Sequence, residues 1–138
     1  MSNSNKNLNP KDINTTALAY IGDAVYEIYV RKHVLQAGIP NVDMLHKYAV
    51  HFVCADGQAK ALKVLMNDFL TEEEVALAKR ARNHKTISKA RSAGPVTYKL
   101  ATAFEALIGY LHLAGQQQRM EEIIFKAFEV IEGGKSNE

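Results

Sequence analysis

Two carboxylates in distant segments are the residues of this 138-residue chain best suited to chemistry. Asp23 lies in Tyr-Ile-Gly-Asp-Ala-Val (residues 20–25), and Glu105 lies in Ala-Phe-Glu-Ala-Leu-Ile-Gly (residues 103–109). Each acid stands beside small residues in an otherwise apolar helical segment, where desolvating a carboxylate is unfavourable unless a cation meets it. Two such carboxylates that converge in the fold would form a site for a divalent metal.

The ligand chemistry indicates which metal this would be. Oxygen ligands without a cluster of Cys or His suit Mg²⁺, with Mn²⁺ as a substitute, because these ions keep several waters and bind phosphate. Asp23 and Glu105 are therefore the candidate metal ligands and catalytic residues. A lone helical acid is more often solvated or a helix cap, so this prediction depends on both acids having the same apolar surroundings. Gly22 and Gly109 would let backbones or a ligand approach closely, at a cost in helix propensity.

The positive charge of the chain is concentrated in one segment. The net charge is only +2, yet residues 75–104 contain no acid and seven Lys or Arg residues. Such a patch is expected where a protein recognises phosphate; the alternative is a solvated basic helix end followed by a flexible loop. The candidate RNA-binding residues are Lys79, Arg80, Arg82, Asn83, Lys85, Lys89, Arg91 and Lys99.

The same segment indicates which form of RNA would bind. No aromatic residue lies between Phe69 and Tyr98, whereas proteins that bind single strands use aromatic side chains to stack on bases. The absence favours recognition of duplex shape through backbone and 2′-hydroxyl contacts across the shallow minor groove. The basic residues of a loop predicted over residues 85–96 would then hold the duplex.

The pattern of apolar residues predicts a helical protein without strands. Helices are predicted over about residues 14–36, 42–50, through 59–65, 71–83, 97–114 and 116–131, with a capping box at Thr71 and Glu74 and stops at Gly38 and Gly115. Two faces are predicted on the first helix, at positions set by helical spacing. The buried face comprises Leu18, Ile21, Val25, Ile28 and Leu35, and the ligand face comprises Thr16, Ala19, Asp23 and Glu27.

Length and composition indicate one globular domain. Residues 13–132 are predicted to form it, with a disordered tail over residues 1–12 and a short polar tail over residues 133–138 that follows Gly133-Gly134. The single cysteine, Cys54, excludes an intramolecular disulfide and is predicted to be a buried small hydrophobe. The polar start and the lack of a long apolar run exclude a secretory signal and a membrane span, which predicts a cytoplasmic protein.

The two acid-containing segments resemble the signature helices of the ribonuclease III family, which cuts double-stranded RNA. The resemblance covers about residues 14–131, and the sequences at 79–83, 98–102 and 109–111 look like the Mini-ribonuclease III branch, which consists of the nuclease domain alone. The usual family pattern has further acids where this chain has Thr16, Ala19 and Thr102. Only Asp23 and Glu105 of that acidic set are retained, a reduced set with which this branch is active.

The resemblance implies a homodimer of all-α subunits, with Tyr20 and Ile21 contributing to the interface. It implies Mg²⁺-dependent hydrolysis of double-stranded RNA that leaves 5′-phosphate and 3′-hydroxyl ends, with one cut per subunit. The substrate implied is precursor large-subunit (23S) ribosomal RNA, whose ends pair into a stem, and a ribosomal protein is a candidate partner that presents it.

Two other functions stay open at this point. The missing acids favour a catalytically inactive duplex-RNA-binding or ribosome-assembly protein of the same fold, whereas the retention of both Asp23 and Glu105 opposes it. A helical interaction module with an incidental basic loop is the third hypothesis. RNA binding that weakens steeply with salt would distinguish either RNA function from this one, because phosphate contacts release counterions.

Overall fold

The computed structural model of the protein describes residues 8–84 and 94–136. In these ranges a 3₁₀ helix at Pro10–Asp12 precedes six α-helices: α1 (Thr15–Gln36), α2 (Val42–Val53), α3 (Ala55–Asp68), α4 (Glu72–Arg82), α5 (Pro95–Leu113) and α6 (Gln117–Ser136). The described residues contain no strand, and the all-α prediction is confirmed. Across the same two ranges, no helix combines the length and the apolar character that crossing a membrane requires.

Local sequence signals account for several of the helix ends. The Asn14 side chain accepts a hydrogen bond from the backbone N–H of Ala17 at 2.8 Å, which caps α1. Thr71 and Glu74 form the predicted capping box at the start of α4. Gly38 and Gly115, the predicted stop signals, follow α1 and α5 with φ angles of 75°.

Helix α5 lies at the centre of the core. It packs against α1, α3, α4 and α6, and nine of its residues, from Leu100 to Leu111, are buried. The side chains around it include fully buried Tyr26 and Phe104, whose rings meet edge to face with centroids 5.0 Å apart. A helix covered on several sides is a fixed element, so a side chain that it carries has a well-defined position.

Two glycines set the contact between α1 and α5. A Cβ atom at Gly22 would collide with the backbone carbonyl of Glu105, and one at Gly109 would collide with the carbonyl of Leu18. The two helices therefore cross with their backbones in direct contact, and they run antiparallel because Leu18 meets Gly109 while Gly22 meets Glu105. The close approach that the sequence suggested at these glycines is between two helix backbones.

The predicted buried face of α1 is wrong at two of its five positions. Ile28 and Leu35 are 59% and 62% exposed. The residues that α1 buries are instead Thr15, Leu18, Ala19, Gly22, Tyr26, Val30 and Val34. The predicted ligand face is also wrong at Ala19, which is 6% exposed. The physical reason is that α1 meets α5 at Gly22, so the face of α1 around this glycine turns inward, and Ile28 and Leu35 lie outside that face.

Several boundaries differ from the sequence prediction. Helix α5 begins at Pro95, within the predicted loop, because proline suits the first turn of a helix, and residues 85–93 of that loop lie outside the described residues. Helix α6 continues through Gly133 to Ser136, where a polar tail was predicted.

Differences also occur near the start of the chain and at Cys54. Pro10–Asp12 form a 3₁₀ helix where a disordered tail was predicted through residue 12; residues 1–7 of that tail are not among those described. Cys54 is half-buried rather than buried, because it is the residue that caps α3: its sulfur accepts a hydrogen bond from the backbone N–H of Gly57 at 3.4 Å.

Replacing Gly22 or Gly109 by alanine is expected to lower the free energy of unfolding by about 1–3 kcal/mol, because the added methyl group must push two backbones apart. Urea unfolding followed by circular dichroism measures this. The matched control is Gly133→Ala in α6, where a Cβ would meet nothing within 4 Å. That change should be neutral or stabilising by up to about 1 kcal/mol, since alanine is the better helix former. Equal stability of all three variants would contradict the close crossing.

Candidate metal and RNA site

The crossing of α1 and α5 brings the two predicted catalytic acids together. Asp23 directly follows Gly22, and the Cβ position of Gly22 faces the backbone carbonyl of Glu105. The two carboxyl groups lie close enough for the negative charge of Asp23 to raise the pKa of Glu105. Residues 82 positions apart in the chain therefore form one pair of acids.

The two acids have different surroundings. Asp23 is exposed, whereas Glu105 is partly buried in the contact between helices. Burial and then the negative charge of Asp23 raise the pKa of Glu105 from its usual 4.5 to about 8, and the hydrogen bond from Gln58 acts in the opposite direction. A carboxyl pair of this kind holds a proton near neutral pH, and a cation that replaces the proton would relieve the same repulsion.

Gln58 of α3 is the third polar group of the site, and it is not among the site residues predicted from the sequence. Its side chain is 2% exposed, and its amide Nε2 donates a hydrogen bond of 3.3 Å to Oε2 of Glu105. A signal was present in the sequence: Gln58 precedes Ala61, Leu62 and Leu65 at helical spacing, so it lies on the buried face of α3. A polar residue on such a face needs a hydrogen-bond partner.

Contacts around the start of α3 fix the position of Gln58. The hydroxyl of buried Tyr26 donates a 2.9 Å hydrogen bond to the carbonyl of Phe52, which ties α1 to the end of α2. A Cβ at Gly57 would collide with the carbonyl of His51, so α2 and α3 meet with no room for a side chain there. The first turn of α3, which carries Gln58, therefore lies in close contact with the end of α2, and the end of α2 is hydrogen-bonded to α1.

The other acids of the family pattern have no substitute among the described residues. Thr16 is exposed, Ala19 is buried and Thr102 is half-buried. In residues 8–84 and 94–136, no group of three or more Asp, Glu, His or Cys side chains could hold a metal ion. Glu27, one turn after Asp23, forms an exposed ion pair with Arg31 at 2.9 Å. Two carboxylates still suit Mg²⁺, which commonly binds through one or two carboxylates and keeps its remaining waters.

The basic residues at the end of α4 have no acidic partner in the described part of the chain. Lys79 and Arg80 are exposed, and Arg82 donates a 3.1 Å hydrogen bond to the neighbouring Asn83 rather than to an acid. Lys99 is half-buried in the first half of α5, the helix that carries Glu105. The predicted contacts at Lys85, Lys89 and Arg91 lie outside the described residues. The positive charges at the end of α4 are thus available to bind phosphate.

A comparison with protein families shows to which family this fold and its acid pair belong. The model of the Ribonuclease III domain matches residues 16–116, a range that includes Asp23, Gln58 and Glu105. The chain belongs to the ribonuclease III family. The resemblance described from the two signature segments is confirmed.

Curated relatives place the chain more closely within the ribonuclease III family. It is 45% identical to the Mini-ribonuclease 3 of Enterococcus faecalis, over 83% of this chain and 87% of the relative. It is also 45% identical to the Mini-ribonuclease 3 of Brevibacillus brevis, over 90% of this chain and 92% of the relative. A crystal structure of a protein from Fusobacterium nucleatum is 38% identical, with a TM-score of 0.76, over 86% of this chain and 94% of that one. The protein is an endoribonuclease of the ribonuclease III family.

The raised pKa of Glu105 predicts how the stability of the metal-free protein changes with pH. The folded pKa of about 8 lies above the usual 4.5, so the folded state binds more protons between these values. The contribution of Glu105 to stability is therefore complete below about pH 4.5 and is lost as the pH rises through about 8. The free energy of unfolding should fall by roughly 1–3 kcal/mol from about pH 6 to about pH 8 relative to Glu105→Gln.

Urea unfolding of chelator-treated protein at the two pH values measures this difference. Glu105→Gln is the matched control, because the amide keeps the shape of the side chain and does not titrate in this range. Parallel pH profiles for the wild type and this variant would mean that Glu105 ionises as an ordinary exposed carboxyl group.

Proposed function

We propose that this protein is a divalent-metal-dependent endonuclease of double-stranded RNA, with Asp23 and Glu105 as its metal ligands and catalytic residues. The observation that carries the proposal is the contact between these carboxyl groups at the crossing of α1 and α5. Like charges held together in a partly buried site are stable only with a proton or a cation between them. The cation would be Mg²⁺, or Mn²⁺ as a substitute.

Each protein group has a separate role in the proposed hydrolysis. Exposed Asp23 offers a carboxylate on the side open to substrate, and Glu105 offers a second one that is fixed by the core. Asp23 and Glu105 would hold the cation, which would supply Lewis-acid stabilisation of the phosphate and of the attacking water. Cleavage of the P–O3′ bond leaves a 5′-phosphate and a 3′-hydroxyl.

The basic residues at the end of α4 are proposed to hold the RNA. Lys79, Arg80 and Arg82 have no acidic partner in residues 8–84 and 94–136 and are free to bind phosphate oxygens. Asn83 adds a group able to reach 2′-hydroxyls, and Lys99 adds charge on the helix of Glu105. Lys85, Lys89 and Arg91 are proposed to extend this surface. The resemblance to Mini-ribonuclease III supports precursor 23S ribosomal RNA as the substrate, with a ribosomal protein as the partner that presents it.

A homodimer is the proposed state of the active enzyme. Tyr20, Ala24 and Ile28 share one face of α1 at intervals of four residues, and all three are exposed, Tyr20 by 84%. Exposed apolar side chains in a row on one helix are typical of an interface between protein chains. Two-fold symmetry would pair this face with itself and give two active sites, one for each strand of a duplex.

A catalytically inactive RNA-binding protein is the second candidate function. The observation that favours it is the lack of any third acid near the pair among the described residues. An inactive relative would bind duplex RNA with the same salt dependence and would not cut it with any divalent metal.

Asp23→Asn and Glu105→Gln should each reduce the single-turnover rate of duplex cleavage on the order of a thousandfold, which corresponds to about 4 kcal/mol of lost transition-state stabilisation. The affinity for duplex RNA should change little, because neither acid contacts the RNA in the absence of metal. Gel-based cleavage and fluorescence anisotropy measure the two quantities. Turnover at the wild-type rate in either variant would exclude that acid from the mechanism.

Replacing Lys79 and Arg80 together by alanine should weaken duplex RNA binding and reduce its salt dependence. The slope of log K against log salt falls by about 0.9 for each phosphate group that the protein no longer neutralises, so the slope of the double variant should fall by up to about 1.8. Anisotropy titrations from about 50 to about 200 mM salt measure the slope. The control is Lys60→Ala with Lys63→Ala, which removes two exposed charges from α3. An equal change of slope in both double variants would indicate nonspecific attraction.

Ile28→Glu should weaken the dimer by roughly a hundredfold or more, about 2.7 kcal/mol, because a carboxylate would be buried in an apolar interface. Sedimentation velocity over a range of protein concentrations measures the dissociation constant. Lys63→Glu is the control, since it changes charge at an exposed site on α3. A wild-type protein that is monomeric throughout the range would contradict the proposed dimer.

A further inference from the structure

Gln58 is a buried polar residue that is explained neither by capping of a helix nor by packing of the core. Three polar or charged side chains are buried in the described part of the chain: Thr15, Gln58 and Glu74. Thr15 is the first residue of α1, and Glu74 completes the capping box of α4 and binds Arg119 through two hydrogen bonds. Gln58 caps no helix. Its amide is directed instead to Oε2 of Glu105.

Burial of the Gln58 amide is unfavourable unless the amide forms a hydrogen bond with another group. Burying an amide without a partner destabilises a protein by about 1–3 kcal/mol, and an apolar side chain would fill the same volume beside Ala61 and Leu62 without this penalty. The hydrogen bond to Glu105 compensates for the burial of the amide. It also fixes one oxygen of the carboxyl group whose other contact is with Asp23.

We propose that Gln58 is a positioning residue of the metal site: its amide holds the Glu105 carboxylate in the orientation that binds the catalytic cation. The role rests on the proposed metal-dependent function. Gln58 touches neither the RNA nor the reacting atoms and acts through Glu105. Groups that orient metal ligands by hydrogen bonding typically change metal affinity by about 10–100-fold.

The small number of acids makes this orientation more important here. With only Asp23 and Glu105 to bind the cation, each carboxylate contributes a large share of the affinity, and free rotation of either one lowers it. An amide also suits the position better than an acid would. A carboxylate at residue 58 would lie about as close to Glu105 as the present 3.3 Å contact, and it would add a third negative charge to a partly buried pair.

The rigidity of α3 enables Gln58 to act in this way. Gly57 lies against the carbonyl of His51, and the sulfur of Cys54 caps the helix start. The hydrogen bond from Tyr26 to Phe52 ties this region to α1, the helix of Asp23. The donor and both acids are therefore carried by three helices that are fixed against one another, which is the condition for a preorganised ligand.

The test compares Gln58→Met with the wild type. Methionine has a similar length and volume and lacks the N–H donor. We expect Gln58→Met to weaken Mn²⁺ binding, measured by electron paramagnetic resonance without RNA, by about 10–100-fold. The Mn²⁺ concentration for half-maximal cleavage should rise by the same factor, and excess Mn²⁺ should restore most of the single-turnover rate. The affinity for duplex RNA in chelator should stay at the wild-type value.

Leu62→Met is the matched control, because Leu62 is fully buried one turn further along α3 and does not form the hydrogen bond. It should bind Mn²⁺ as the wild type does, which separates orientation of Glu105 from general repacking of α3. If Gln58→Met fails to fold, Gln58→Asn takes its place. That side chain keeps an amide but is one methylene too short to reach Glu105, so the same reduction of Mn²⁺ affinity is expected.

Two unfavourable results have different meanings. Wild-type affinity for Mn²⁺ in a folded Gln58→Met or Gln58→Asn protein would overturn the role of Gln58 and leave the metal site intact. A wild-type protein that binds no Mn²⁺, as Asp23→Asn is expected to behave, would contradict the proposed metal site and the role of Gln58 together.

Discussion

The direct contact between the backbones of α1 and α5 is the constraint on which the candidate site depends. Gly22 and Gly109 each face a carbonyl of the opposite helix, and neither position has room for a Cβ. Because the crossing is antiparallel and close, it sets Asp23 beside Glu105. The same crossing turns the face of α1 around Gly22 inward, so Tyr20 and Ile28 are exposed on the outer side. The acid pair and the proposed dimer face thus have one common cause.

The acid pair destabilises the surrounding fold when both acids are ionised and no cation is bound. Burial and the charge of Asp23 raise the pKa of Glu105 to about 8, so the fold holds a carboxyl group that is destabilising when it is ionised and has no cation. Natural proteins accept such a conflict mainly at functional sites. Under the proposed function, the conflict would favour binding of the catalytic cation, and Gln58 would keep Glu105 in position for it.

The sequence predicted the features that depend on short-range signals. The capping box at Thr71 and Glu74 is determined by residues within one helical turn, and Asp23 and Glu105 were singled out together because both segments have the same unusual composition. The buried face of α1 was predicted wrongly at Ile28 and Leu35 because apolar residues occur around most of this helix, and their spacing alone does not show which of them face the core. The close crossing at Gly22 selects the face that carries Leu18 and Tyr26. The contact of Gln58 with Glu105 depends on how α3 and α5 align, which no local pattern specifies.

The most direct test of the account is incubation of the wild-type protein with a long perfect RNA duplex, with Mg²⁺ in one sample and chelator in the other. The account predicts cleavage only with Mg²⁺, and the products should carry 5′-phosphates and staggered ends. Tight, salt-sensitive binding of the duplex without any cleavage in Mg²⁺ or Mn²⁺ would contradict it. That result would mean that Asp23 and Glu105 no longer support catalysis and that the fold serves RNA binding alone.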